Sequence, residues 1–183
     1  MDRAAEALAP SSILRRAGEV LLGLPRVGAW LLCAGWYGGI TWLSARPGDA
    51  EPSPWWLSVL SNGAHAPLFG LLACWLTLLL PRSDGWPHLD RSRRMLVCTV
   101  IALCGAVDEW HQSHTPGRDM SVLDLWTDVA GAAISLELVA YSARRDGARR
   151  GLGIRLASAA GVSLACGALA TFLPRCFPGV GWF

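Results

Sequence analysis

Residues 108–131 put a dense set of reactive groups between two apolar stretches. They run Asp108-Glu109-Trp110-His111-Gln112, then Pro116-Gly117-Arg118-Asp119, then Asp124 and Asp128. Five carboxylates, two histidines and one arginine fall in this segment. Carboxylates beside histidine can pass protons or ligate a divalent metal. A guanidinium can grip a carboxylate or a phosphate through two parallel hydrogen bonds. The spacing sorts these groups onto surfaces. Asp108, His111 and Gln112 stand at i, i+3 and i+4 and share one helical face, with Glu109 on the adjacent one. Asp124 and Asp128 share a face of the next helix, which Gly131 continues. Two carboxylates at i, i+4 repel unless a cation sits between them, and Arg118 is the candidate cation. Pro116-Gly117 supplies the turn that folds it back over the helix ends.

The elements that must position these groups are apolar enough for a lipid bilayer. The 183 residues amount to one domain, 52% of them hydrophobic and 16% charged, against about 25% charged in soluble domains. Mean hydropathy is +0.35. Blocks near the 20 or so residues that cross a bilayer fall at Val27–Ala45, Leu57–Leu80, Met95–Trp110 and Val122–Ala143. A fifth falls at Leu156–Leu173. The fold expected is therefore all-α: a polytopic helical membrane protein with four core transmembrane helices plus a fifth. Its parts are an N-terminal segment (1–26), a four-helix membrane domain (27–143), and a basic loop with the fifth helix (144–183).

The first apolar run is too long for a signal-peptide core, and Leu43 fits poorly in a cleavage site with Ala45, so the span is expected to be retained. Ile13–Leu24 suits an interfacial helix, which Gly18, Gly23 and Pro25 weaken. Gly35-x-x-x-Gly39 and the series Gly153, Ala157, Gly161, Ala165 offer small-residue faces for close helix packing, within one chain or between chains. Trp55 and Trp56 suit an interface.

All sixteen basic residues are arginine. Thirteen lie in the N-terminal segment and in the loops after spans two and four. Arg46, Arg118 and Arg175 lie on the other side. The positive-inside rule then places the N-terminus in the cytoplasm. His65 near the start of span two, the groups ending span three, Arg118, and Asp124 and Asp128 opening span four all come to the outer side. Charges at that depth are costly unless paired, hydrated or used.

Each residue alone has a plainer role. Asp108 and Glu109 can reach water from a helix end, and Asp124 suits the first turn of a helix. His65 can bond a buried carbonyl, Arg118 can pair an internal carboxylate, and His114 reads as a loop residue. Glu137 sits deeper and reads as a helix–helix contact rather than part of a polar path. Jointly, on three elements and one side, the set reads as a site. No basic patch is interleaved with aromatics, so no nucleic-acid partner is expected. Of the six cysteines, Cys33, Cys74, Cys98, Cys104 and Cys166 lie in apolar runs as small hydrophobes. None is expected to bind metal or form a disulfide.

The run Asp108-Glu109-x-His111-Gln112-x-x-x-Pro116-Gly117-Arg118-x-x-Ser121-x-x-Asp124, closing at Gly131, resembles the VanZ-like family of bacterial membrane proteins. His65, followed by Phe69, matches the histidine of the preceding span. The resemblance covers about residues 27–143. The family usually has Asp-Lys where this chain has Ser61-Asn62, and asparagine where it has Asp128. The family is named for a protein of glycopeptide-resistance clusters. The resemblance implies a cell-envelope protein of the bacterial inner membrane.

Two functions follow as expectations. In the first, Arg118, Gln112, Asp124, Asp128, Asp108 and His65 bind a polar or anionic envelope ligand, such as a lipid headgroup or a cell-wall precursor. The alternative is a membrane-embedded enzyme acting on a lipid-linked substrate, with Asp108, Glu109, His111 and His65 as acid–base groups or as ligands for a divalent metal. The spacing is not that of H-E-x-x-H, and no metal is assigned. A transporter or proton path is a weaker third reading, because five short spans lack paired broken helices.

Overall fold

The computed structural model describes residues 10–48, 53–143 and 149–176. Arg3, the Asp49/Glu51/Pro52 part of the first loop, and Arg144 and Arg145 of the last basic loop lie outside them. Seven helices and one short hairpin make up the described chain: α1 Pro10–Leu22, α2 Arg26–Ser44, α3 Trp55–Gly63, α4 His65–Thr77, β1 Arg82–Ser83, β2 Trp86–Pro87, α5 Arg91–Gln112, α6 Val122–Ser142 and α7 Arg149–Cys176. The chain is all-α in class.

Local chemistry explains the boundaries. Gly23 and Pro25 stop α1, and the chain turns by 113° into α2. Arg82 donates to the freed Leu22 carbonyl at 2.6 Å. Pro67 has no N–H and crowds the carbonyl four residues back. That residue is Gly63, where the helical ladder breaks before restarting at His65. Asp84 and Gly85 both take positive φ (52° and 83°) and close the hairpin as a primed turn. Asp90 caps α5 by accepting from the Arg93 N–H at 2.8 Å, and Ser121 caps α6 by accepting from the Asp124 N–H at 3.2 Å.

The core is the crossing of α4 and α6, the most extensive helix contact. It works because side chains are missing. A methyl on Gly131 would overlap the Ala66 carbonyl, and one on Gly70 would meet Ser135 Oγ at 2.5 Å. Around this crossing Phe69, Leu72, Ala73, Val97, Ile101, Ala132 and Leu136 are buried. α7 packs on α3 through Gly63 and Gly167.

The small-residue faces expected from sequence are not these. A Cβ at Gly35 or Gly39 would meet nothing within 4 Å, because α2 turns Cys33 and Ile40 inward instead. On α7, Gly153, Ala157, Gly161 and Ala165 are all exposed. The buried face carries Gly167, Ala170 and Thr171.

Two helical runs, Trp55–Thr77 and Gly151–Cys176, are long and apolar enough to cross a membrane, and α1–α2 adds a third if the bent pair is one span. The helices cover the expected spans with shifted ends: α5 begins four residues before Met95, and α7 overruns the fifth span at both ends.

Candidate functional site

Polar groups gather at the end of the bundle where α5 finishes and α4 and α6 begin. Asp108, Glu109 and Gln112 in the last turns of α5 are 1–3% exposed. Asp128 is fully buried and Asp124 nearly so. Outside them, Trp110 and Trp126 are more than 60% exposed. Carboxylates face in and indoles face out, the reverse of a soluble surface.

Each buried group is held by a neighbouring element. Ser44, closing α2, donates to Asp108 Oδ2 at 2.9 Å, and Gln112 Nε2 donates to the same oxygen at 2.9 Å. Glu109 Oε2 accepts the Ser121 backbone N–H at 2.6 Å, so one residue caps α6 and anchors α5. His65 opens α4 and donates from Nδ1 to Asp128 Oδ1 at 3.1 Å. Its ring stacks on Phe69, centroids 6.1 Å apart. Gly105 makes the room: a methyl there would overlap Asp128 Oδ2.

These bonds leave much unsatisfied. Asp108 Oδ1, Glu109 Oε1, His111 Nε2, Asp124 Oδ1, Asp128 Oδ2 and Arg118 Nε are buried with no hydrogen-bond partner among the described residues. An unpaired buried polar atom costs about 1–3 kcal/mol. Elsewhere among the described residues only Trp75 Nε1 shares this state. Orphaned groups are concentrated at this end.

Arg118 does not sit where its sequence position suggested. Thr115-Pro116-Gly117-Arg118 forms a tight turn, with the Arg118 N–H donating to Thr115 O at 3.1 Å and Gly117 at φ 74°. The Gly48 N–H donates to Pro116 O at 3.0 Å and ties this turn to the chain leaving α2. The position against Asp128 is taken by His65. Among the described residues Arg118 has no ion pair within 4.0 Å. It lines the mouth instead, in an open cleft of about 620 Å³ with Asn62, Asp119, Ser121 and Asp124. A neighbouring cleft of about 760 Å³ adds Arg175.

His114 is exposed and bonds the Trp110 carbonyl at 2.8 Å, the loop role expected of it. Glu137 pairs with Arg94 across α5 and α6 at the opposite end, the structural contact expected of it. Asn62 donates to Thr171 of α7 at 3.2 Å.

The sequence does not signal Ser44 or Thr171 as parts of this end, and it places Ser121 in the motif without showing that it would hold Glu109. Serine at a helix terminus reads as a cap, and nothing in its spacing reports a carboxylate from another helix. One ligand atom from each of His65, Asp108 and Glu109 lies within 4.8 Å of the others. The sequence offers these three with His111 as acid–base groups or as ligands for a divalent metal, without assigning an ion; the structure brings His65, Asp108 and Glu109 together and leaves His111 out of the set. Compared with protein-family models, curated proteins and solved structures, the chain matches none of them.

Proposed function

We propose that the chain is an integral membrane protein of the cell envelope, of the VanZ-like type, whose polar end binds the headgroup of an anionic or polar envelope ligand. The observation that carries this reading is the convergence of orphaned buried groups from α5, the 115–118 turn and α6 beneath a cleft that Arg118 lines. Arg118 is the group suited to a phosphate or carboxylate. A second, apolar groove of about 720 Å³ shares the α3 and α7 walls and is lined by Leu60, Ala66, Pro67, Gly131 and Leu164. A headgroup in the cleft with its chain in that groove fits a lipid or lipid-linked precursor.

The membrane reading has support beyond hydropathy. α5 and α6 carry Asp108, Glu109, Asp124 and Asp128, which lower their average, yet all four are buried and the outward faces show Leu96, Leu103, Val107 and Trp126. On this reading α2, α3–α4, α5 and α6 are the four core spans and α7 the fifth. Exposed Trp42, Trp55, Trp56, Trp110 and Trp126 ring the polar end, as an aromatic belt does at the membrane–water boundary. The arginine bias makes that boundary the outer one, with the N-terminus cytoplasmic.

The test is substitution in cells with protein level checked. Arg118→Ala, Asp108→Asn and Asp124→Asn are expected to accumulate and to lose one shared phenotype, scored as sensitivity to glycopeptides and other envelope stresses. Arg118→Ala with unchanged sensitivity, and unchanged lipids co-purifying in native mass spectrometry, sinks the reading.

The His65–Asp128 contact beside Glu109 favours acid–base chemistry as a second reading, in which the ligand is a substrate. Glu109→Gln then keeps the co-purifying lipid but loses the phenotype, whereas simple binding loses both or neither.

A further inference from the structure

We propose that a single divalent metal ion occupies the buried space between α4 and α5, held by a ring nitrogen of His65 and by carboxylate oxygens of Asp108 and Glu109. Three independent observations meet there.

The first is geometry. The three ligand atoms lie within 4.8 Å of one another. Ligands on opposite sides of an ion at about 2.2 Å are ~4.4 Å apart, so this set needs only a slight contraction to close on an ion.

The second is unspent bonding capacity. Asp108 is 1% and Glu109 3% exposed, and each keeps one oxygen, Oδ1 and Oε1, buried and without a partner among the described residues. Their other oxygens are already fixed, Asp108 by Ser44 and Gln112 and Glu109 by the Ser121 N–H. Two buried carboxylates beside His65 thus each have one oxygen without a hydrogen bond among the described residues.

The third is charge. Asp108, Glu109, Asp124 and Asp128 are all buried at this end, and no arginine lies within 4.0 Å of any of them among the described residues. Four buried carboxylates with a single histidine ring bonded among them are costly. An ion of charge +2 offsets the cost where the neutral or singly charged imidazole of His65 falls short. The surroundings also follow the pattern of metal sites: Asp128 accepts the second ring N–H of His65 and so fixes its tautomer and plane. One nitrogen and two or more oxygens, without thiolate, suit Mn²⁺ or Zn²⁺ better than a soft ion.

The site does not rest on the headgroup reading, and the two fail separately: the ion is read in purified protein, the headgroup through Arg118 in cells. The experiment is metal analysis of the full chain, purified in detergent without chelator, followed by calorimetric titration of the stripped protein with Mn²⁺ and with Zn²⁺. About one ion per chain is expected. Asp128→Asn, at the carboxylate that bonds the ring of His65, is expected to weaken binding about 10–100-fold while keeping one site. Glu109→Gln and His65→Ala are expected to abolish it, and the exposed loop variant His114→Ala to leave it unchanged. Pulsed electron paramagnetic resonance of the Mn²⁺ form is expected to show one histidine nitrogen, which holds the assignment to account if the variants do not fold. Monodisperse wild-type protein that neither carries nor takes up an ion overturns the proposal, and so does an ion without histidine nitrogen in its shell.

Discussion

Asp128 on α6 accepts the Nδ1 proton of His65 on α4 at 3.1 Å, one turn from the place where Gly131 lies against the Ala66 carbonyl. The polar contact and the close helix approach are parts of one device. Without the missing side chain at Gly131 the two backbones separate, and the carboxylate no longer reaches the ring. The core crossing therefore sets the geometry of the polar end.

Gly131→Ala is expected to destabilise the folded chain. Its methyl meets backbone rather than a flexible side chain, and overpacking of that kind costs about 1–3 kcal/mol. Thermal unfolding in detergent reads the loss as a lowered midpoint. Gly35→Ala serves as the comparison: its Cβ enters open space, and alanine is favoured over glycine in a helix by about 1 kcal/mol. The midpoint there is expected to hold or rise. Equal losses at both positions count against the assigned crossing.

Much of this end was legible before any coordinates. The i, i+3, i+4 spacing put Asp108 and Gln112 on one face, and the structure bonds them to each other. Pro116-Gly117 announced the turn that Gly117 makes. Other features were hidden for physical reasons. Gly35 and Gly39 looked like a packing face because the motif records small size, not which side of α2 meets a neighbour. Arg118 was placed between Asp124 and Asp128 because it was the nearest cation along the chain. The space against Asp128 is filled by His65, which is 63 residues away in sequence. Ser44 gave no signal, since a serine ending an apolar run reads as a simple boundary. The Asp84-Gly85 dipeptide carries the signature of the primed turn it makes, within a loop rich in charged residues.

Ser44→Ala is expected to weaken the structure through Asp108. The hydroxyl donates to Asp108 Oδ2, and its loss leaves that oxygen with Gln112 alone, at a cost of about 1–3 kcal/mol. In a double-mutant cycle with Asp108→Asn the two losses are expected not to add, because the neutral amide no longer demands the same donors. Strict additivity in thermal unfolding shows that the contact carries no energy.

Orientation can be read with a membrane-impermeant maleimide on intact cells. The proposed topology puts exposed Ser113 outside and exposed His88 inside. In a Cys176→Ser background, which removes the exposed native thiol, Ser113→Cys is expected to label without permeabilisation. His88→Cys is expected to label only after it. The opposite pattern reverses the proposed sidedness and places the cluster on the cytoplasmic face.

Arg94 and Glu137 make the last prediction, at the opposite end of the bundle. They form an ion pair between α5 and α6 on a partly exposed surface, beside the exposed apolar Met95 and Leu96. In water such a pair contributes about 0–1 kcal/mol. Next to lipid the comparison changes, because a lone charge there costs more than a paired one. Glu137→Arg alone sets two like charges against each other and is expected to reduce the amount of inserted protein several-fold. Arg94→Glu alone is expected to do the same. The exchanged double variant restores the pair with its polarity reversed and is expected to recover most of the wild-type level. Recovery ties α5 to α6 at this depth and gives Glu137 its structural role. A double variant no better than its parents returns Glu137 to the polar-path reading.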